Sequence, residues 1–385
     1  VKILSFIPQN GLWLYALISL LVLLLIQLFY YLFFYTRLGG YIKKTTNTPA
    51  KDFAYPPFSI IICARNESQN LLRNLPAVLQ QDYPASFEVV VVNDASVDDS
   101  AEVLTRLKTK YNHLYSTHIP YDEKFRHGKK LALTIGVRAA KHEHLLFTDA
   151  DCEPAGKYWL KTMAQGFSDG KELVLGVGAH KKEKGFINLW QRYDTFQIAV
   201  QYLSFALRGV PYMGVGRNIA YKKSLFLKNG GFRKHQHMLS GDDDLFVRDT
   251  ATRHNVAIVC DPQSFTFSES VKNFTEWKHQ KRRHLTTSPF YKSGIKFLLG
   301  LEAIARQLFW GIALFSVFFS NFALIFIGVI ITKLAIQFLT QRRLAKHFGH
   351  GDLLIGGFLL DLTLPFVTGM LLLGIKRQAK NIKWT

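Results

Sequence analysis

His-Leu-Leu-Phe-Thr-Asp-Ala-Asp, residues 144–151, is the stretch on which the fold reading turns. A short, mostly apolar run ends abruptly in two carboxylates one residue apart. Two similar runs precede it. Phe58–Cys63 is followed by Ala64-Arg65-Asn66-Glu67, and Phe87–Val92 by Asn93-Asp94-Ala95-Ser96. Strand-length apolar runs without alternation suit strands buried on both faces, as in parallel sheets. Glu67–Gln80, Asp98–Lys110 and Gly128–Ala140 carry helical patterns between them. This βαβαβ order predicts an α/β domain with a doubly wound, mostly parallel sheet. Such sheets bind ligands beyond the carboxyl ends of their strands, where the polar residues of all three runs fall. From about Leu173 the pattern is less regular. Gly185–Leu207 reads as a long amphipathic helix and Asp242–Arg253 as a shorter one.

The 385 residues suffice for one sizeable domain plus several membrane spans. Forty-eight basic against 28 acidic side chains give a net charge of +20. Such an excess suits phosphorylated substrates, an anionic membrane surface or nucleic acid. The hydrophobic ends favour the first two, and no zinc-finger spacing or RNA-binding aromatic signature is present. The three cysteines, Cys63, Cys152 and Cys260, are odd in number and far apart, which disfavours a disulfide framework and suits a reducing compartment.

Leu12–Tyr35 is apolar, uncharged and long enough to span a bilayer. It is too long for a signal peptide. Arg37, Lys43 and Lys44 follow it and place the next segment on the cytoplasmic side. The expected organisation is a membrane helix (1–37), a linker (38–57), a catalytic domain (58–272), an amphipathic interface helix (273–293) and a C-terminal membrane region (294–385). That region holds apolar stretches at Phe297–Phe319, Phe322–Leu339 and Leu353–Ile375. Three spans would put the basic C-terminal cluster Lys376, Arg377, Lys380 and Lys383 outside. A re-entrant hairpin in the last stretch, or incomplete spanning by the first, would resolve that conflict. The chain is therefore expected to be a multi-pass membrane protein with a cytoplasmic domain.

Several motifs carry chemistry. His127-Gly128-Lys129-Lys130 opens a helix, where backbone N–H groups and a lysine favour phosphate. It is not a P-loop, and Gly214-Val215-Gly216-Arg217-Asn218 lacks the third glycine of a dinucleotide fingerprint. Asp149 and Asp151 suit a ribose and a hard divalent cation, Mn²⁺ or Mg²⁺, which would neutralise a diphosphate leaving group. Asp242-Asp243-Asp244 exceeds what a helix cap needs and offers a general base. Arg283, within Gln280-Lys281-Arg282-Arg283-His284, can make charge-assisted contacts to phosphate. His235, His237, His279 and His284 lack zinc-ligand company.

Together these residues resemble the membrane-embedded family 2 glycosyltransferases, from about Ser59 to His284. Ser59–Glu67 is similar to the family's opening strand and Asn93–Ser96 to its Asp-Asp-Gly-Ser motif. Gly128-Lys129 through Thr134 resembles its Gly-Lys helix, Asp149-Ala150-Asp151 its metal motif, and Asp242 its base. Gln280 and Arg283 match its Gln-x-x-Arg-Trp signature, with His284 in place of Trp. The layout resembles the ceramide glucosyltransferases most, with cellulose, chitin and hyaluronan synthases as relatives.

The resemblance implies a GT-A fold, a nucleotide-sugar donor, a divalent metal and inverting displacement. Asp94 and Asp149, with Arg65, Asn66, Glu67, Lys129, Gln280 and Arg283, would bind the donor. Asp151 with Asp149 would hold the metal, and one of Asp242, Asp243 and Asp244 would be the base. Gly216, Asn218 and His284 are expected on the acceptor side. The expected reaction moves one sugar, from a UDP-sugar, to a membrane lipid hydroxyl. A processive polysaccharide synthase and a non-catalytic nucleotide-binding scaffold are the alternatives. Nucleic acid is not an expected partner, and oligomeric state is not legible.

Overall fold

The computed structural model describes residues 11–46, 53–120, 128–236, 238 and 240–378. His127, His237, Lys380 and Lys383 lie outside the described residues. The chain divides into two compact units. One is drawn from the helices up to Lys43 and from Lys292 to Gly374, and the other centres on Lys44–Tyr291.

The α/β unit is built on strands β1 (Phe58–Ala64), β2 (Phe87–Asp94), β3 (Leu114–Ile119), β4 (His144–Asp149), β5 (Cys152–Pro154), β6 (Leu173–Leu175), β7 (Gly178–His180), β8 (Ile219–Lys222), β9 (Val256–Ile258) and β10 (Thr266–Ser268). Seven form one sheet in the order β3-β2-β1-β4-β8-β6-β9. The β1–β2, β1–β4, β2–β3 and β6–β9 pairs are parallel, while β8 runs antiparallel to β4 and β6. Every residue of β1 is buried, as a strand covered by helices on both faces should be. The register pairs Cys63 with both Val92 and Asp149, and Ala64 with Asn93. The first polar residue of each run therefore arrives at one edge of the sheet.

The three expected helices form as Ser68–Leu79, Ser100–Lys110 and Lys129–Ala139. The short strands of the second half carry too few residues for a pattern. Leu-Tyr-Ser-Thr-His-Ile (β3) was hidden by its polar, partly exposed centre. The helix expected at Gly185–Leu207 spans Phe186–Leu207 but is not amphipathic in effect. Trp190, Gln191, Arg192, Tyr193 and Asp194 are consecutive and all buried, because the helix is enclosed on several sides.

In the helical unit, Gly11–Phe29, a π-helical turn Tyr30–Tyr35 and Thr36–Thr46 follow one another without a break. The linker expected to begin at residue 38 is thus helical as far as Thr46. Leu38 and Ile42, four residues apart, are both buried, which gives this extension a packing face. The later helices are Ser293–Phe319, Ala323–His347 and Leu353–Gln378. The last is a single helix through Pro365 rather than a hairpin. Three helices, Gly11–Thr45, Ser293–Phe319 and Ala323–His347, are long and apolar enough to cross a membrane, and Gly356–Leu372 is a shorter apolar stretch. Their charged residues are compensated internally. Lys333 pairs with Asp361, which also accepts from Trp310 Nε1 at 3.1 Å and from Arg306 at 3.4 Å. Tyr35 donates to Glu302.

Gly136 lets the helix Lys129–Ala139 lie close on the sheet. A Cβ there would stand 2.7 Å from Ile61 Cγ2 and 3.2 Å from Val92 Cγ2. Gly136→Val should therefore destabilise the α/β unit by about 1–3 kcal/mol through overpacking, read as a lowered Tm. Gly156→Ala, where an added Cβ meets nothing within 4 Å, should leave Tm nearly unchanged.

Candidate active site

Beyond the carboxyl ends of β1 and β4 lies a small cleft. Lys129, Asp149, Gly216, Asp242 and Asp243 line it, with Cys63, Phe147 and Tyr221 among its apolar walls. The helix Lys129–Ala139 begins at this edge, and its first two lysines divide the work. Lys129 Nζ donates to Asp149 Oδ1 at 2.6 Å and lies 3.5 Å from Asp242 Oδ2. Lys130 is buried, and its Nζ donates to the backbone carbonyls of His235 (2.6 Å), Met238 (3.1 Å) and Ser240 (2.7 Å). It thereby anchors the segment that leads into Gly241 and Asp242. Burial draws the Lys130 ammonium down to about 8.

The three consecutive aspartates have separate fates. Asp243 caps the following helix: it accepts from Asp244 N at 2.8 Å and from Gly216 N at 2.8 Å. Burial, then the charges of Asp242 and Asp244, push its carboxyl up to about 7. Asp244 is buried and accepts from Thr287 Oγ1, from Tyr291 Oη at 2.7 Å and from Leu245 N at 2.8 Å. Its carboxylate ties the chain after the basic helix to the domain, a structural duty rather than that of a base. Asp242 also lines the cleft and, of the three, is the one whose carboxylate makes an ion pair with Lys129.

Asp149 and Asp151 lie at the same edge. With Cys152 they form a group whose candidate ligand atoms all lie within 4.8 Å of one another. Burial would raise the Asp149 carboxyl, but the Lys129 ammonium outweighs it, helped by Arg217 and Arg283, and holds it below the usual carboxylate range. Loss of hydration, then the Asp149 charge, raise Asp151. Two carboxylates that repel each other while one remains accessible suit a hard divalent cation. Burial pushes the Cys152 thiol well up, so it behaves as a small packing residue, like buried Cys63 and Cys260.

Other expected residues divide between the site and its supports. Asp94 is fully buried at the end of β2. Asn66 adopts φ 55° and links two loops: its N–H donates to Ser96 Oγ (2.9 Å) and its Oδ1 accepts from Val97 N (2.9 Å). Glu67 accepts from Asn70 at 2.6 Å, and burial followed by the Asp151 and Asp149 charges raises its carboxyl. Arg65 is half-buried beside them. The Gln280 carbonyl accepts from Gln191 Nε2 at 2.9 Å. Gly216 stands at the cleft floor, where a Cβ would lie 3.4 Å from Lys129 Nζ and 3.6 Å from Asp242 Oδ2. Asn218, expected to face an acceptor, is instead a core residue. It accepts from Trp159 Nε1 (3.1 Å) and donates to Val177 O (2.8 Å) and Ser264 O (2.7 Å), so its amide is fully engaged.

The basic helix Phe274–Leu285 presents Arg283 near enough to Asp149 to act on its charge, and leaves His284 exposed. Trp277 is buried against Trp190 with ring centroids 5.3 Å apart. Lys281 is buried too, donating to both oxygens of Asp194 at 2.6 and 2.9 Å.

Residues 59–230 match the sequence profile of Glycosyl transferase family 2. That match spans somewhat less than half of the chain and says what this stretch is similar to. It is 28% identical over 195 residues to the glycosyltransferase AglE of Haloferax volcanii, spanning 49% of this chain and 59% of that one. It is 24% identical over 335 residues to the probable glycosyltransferase YdaM of Bacillus subtilis, spanning 85% of this chain and 76% of that one. Its structure resembles that of the mannosyltransferase PcManGT from Pyrobaculum calidifontis in complex with GDP-Man and Mn²⁺, with a TM-score of 0.59 at 18% identity. That likeness covers 96% of this chain and 99% of the other. The domain therefore has the GT-A-like α/β fold with a mostly parallel sheet. Against the family 2 matches, the chain spans about three fifths to three quarters of the two relatives' lengths.

One cation escaped the sequence reading. Arg217, between Gly216 and Asn218, acts on the charges of both Asp149 and Asp151. Its signal was its place inside a glycine-rich stretch that matched no phosphate motif.

The Lys281–Asp194 pair makes a testable point. Lys281→Met leaves Asp194 buried without its partner and should cost about 3–5 kcal/mol. The double variant Lys281→Met with Asp194→Leu should recover most of that loss. Chemical unfolding of the four proteins in a double-mutant cycle measures both.

Proposed function

We propose that this family 2 domain is a metal-dependent, inverting glycosyltransferase that moves a single sugar from a nucleotide-sugar to the hydroxyl of a membrane lipid. The observation that carries the reading is the shared cleft of Asp149 and Asp242, joined by Lys129, with Asp151 alongside. In this reading Asp149 and Asp151 hold Mn²⁺ or Mg²⁺, which when bound neutralises the charge growing on the diphosphate. The GDP-Man and Mn²⁺ complex of the mannosyltransferase supports a donor and metal of this class; a UDP-sugar is the donor expected here. Asp94, enclosed at the end of β2, serves the nucleoside.

Asp242 is the base. It takes the proton of the acceptor hydroxyl as that oxygen bonds to the anomeric carbon from the face opposite the diphosphate. The bond from that carbon to the phosphate oxygen breaks, and its electron pair leaves with the nucleoside diphosphate. Lys129 Nζ, 3.5 Å from Asp242 Oδ2, sets a positive charge beside the base. A proton shared onto Asp243 at neutral pH relieves repulsion within the aspartate run.

Three observations support a lipid acceptor on a membrane. Three helices are long enough to span a bilayer, the chain carries a +20 charge, and His284 replaces an aromatic platform suited to a growing polymer. The basic helix Phe274–Leu285 would meet anionic headgroups with its partly exposed Lys278 and Arg282. The same topology would set the catalytic domain in the cytoplasm.

Asp242→Asn should lower kcat by about 10²–10⁴-fold while leaving donor affinity within about twofold, since the base acts after binding. Near-normal turnover in that variant would remove Asp242 from the role. Asp151→Ala should weaken donor binding only in the presence of Mn²⁺. Equal donor affinity of the native protein with and without Mn²⁺, in a titration by calorimetry, would sink the metal assignment.

A further inference from the structure

Arg217 is built into this domain as no ordinary surface arginine is. Its backbone is pinned on both sides. Gly216 N donates to Asp243, Asn218 N donates to Val215 O at 2.9 Å, and the Arg217 carbonyl accepts from Thr266 Oγ1 at 3.0 Å. Its side chain lies across Gly178 of β7, where a Cβ would come within 2.3 Å of Nε and 2.5 Å of Cγ. Only a glycine leaves room for the guanidinium in this position.

The partners of that guanidinium are neutral. Nη1 lies 3.4 Å from His180 Nε2 and 3.2 Å from Ser268 Oγ. His180 is buried, and its Nδ1 faces Ser268 Oγ (3.1 Å) and Glu269 O (3.2 Å). The carbonyl accepts only, so the proton belongs on Nδ1, and the Nε2 lone pair is left for Arg217. No carboxylate pairs with Arg217 within 4.0 Å among the described residues, and its Nε is buried without a hydrogen-bond partner. Yet its charge reaches Asp149 and Asp151. A fixed, always-charged fork with an unsatisfied buried donor, whose charge acts on two metal-suited carboxylates, suits an anion.

We propose that Arg217, held by His180 and Ser268 over Gly178, is the cation that receives the diphosphate of the donor. This rests on the nucleotide-sugar reading and adds to it a residue and its supports. The phosphate oxygens would bridge a cation at Asp149 and Asp151 on one side and the guanidinium on the other. As the bond to the anomeric carbon breaks, the electron pair arriving on the diphosphate is met by a charge already in place.

The test is a binding series on the purified full chain in lipid nanodiscs with Mn²⁺, using UDP, UMP and uridine and the matching guanosine set. The native protein should prefer the diphosphate over the nucleoside. Arg217→Gln should weaken diphosphate binding by about 10- to 100-fold, the range of a charged hydrogen bond left unmade, with nucleoside affinity unchanged. Arg217→Lys should fall between, keeping charge but losing the fork, and reads the same ratio should Arg217→Gln misfold. His180→Asn should lower the ratio without removing it. An unchanged diphosphate-to-nucleoside ratio in Arg217→Gln or Arg217→Lys overturns the assignment while leaving the nucleotide-sugar reading intact. Failure of the native protein to bind any of the six would overturn both.

Discussion

Everything at the site depends on one constraint: a parallel strand covered on both faces can carry polar side chains only where it emerges. β1 and β4 carry no charged side chain through their buried length, only the hydroxyls of Ser59 and Thr148, and their register brings Cys63 opposite Asp149 and Ala64 opposite Asn93. The carboxylates gather at one edge because burial without a partner excludes them elsewhere. Chemistry at that edge is thus a consequence of the hydrophobic pattern, and the acidic motifs mark where each strand surfaces.

Gathering carboxylates creates repulsion, and the domain answers it with cations placed by different means. Lys129 comes from the start of a helix and bridges Asp149 and Asp242. Arg283 comes from the basic helix, whose own seat is secured by Trp277 and by the buried Lys281–Asp194 pair. Arg217 comes from the turn before β8 and is fixed by neutral groups. The first is satisfied by protein carboxylates. The last keeps a buried Nε without a hydrogen-bond partner, and that difference separates a cation that organises the carboxylates from one suited to the proposed diphosphate.

Much of this was legible in the sequence because it follows local rules. Three strands, three helices and the apolar membrane-length stretches are patterns of period and length, and the chain forms them close to the expected residues. What escaped depends on neighbours. The three-residue strands of the second half exist only through their partners: β6 and β9 join the main sheet through β8, and β5 and β7 pair with β10 in a second sheet. Three adjacent aspartates look alike in sequence, yet one caps a helix, one is tied to Thr287 and Tyr291, and one faces Lys129. Asn218 sits in a motif-like stretch, but its amide is consumed by Trp159, Val177 and Ser264. Arg217 gained meaning only once Gly178, His180 and Ser268 were seen beneath it. The buried charges of the helical unit likewise depend on neighbours, since Lys333 and Arg306 neutralise Asp361 within it.

The central claim is the transfer of one sugar to a lipid, and product analysis tests it most directly. Native protein in lipid nanodiscs would receive Mn²⁺, a panel of nucleotide-sugars and a cellular lipid extract, followed by mass spectrometry of the lipid and polymer fractions. The account predicts consumption of one donor and a lipid heavier by a single sugar. A ladder of products or a long polymer would contradict single transfer, and no donor consumption at all would contradict the glycosyltransferase reading itself.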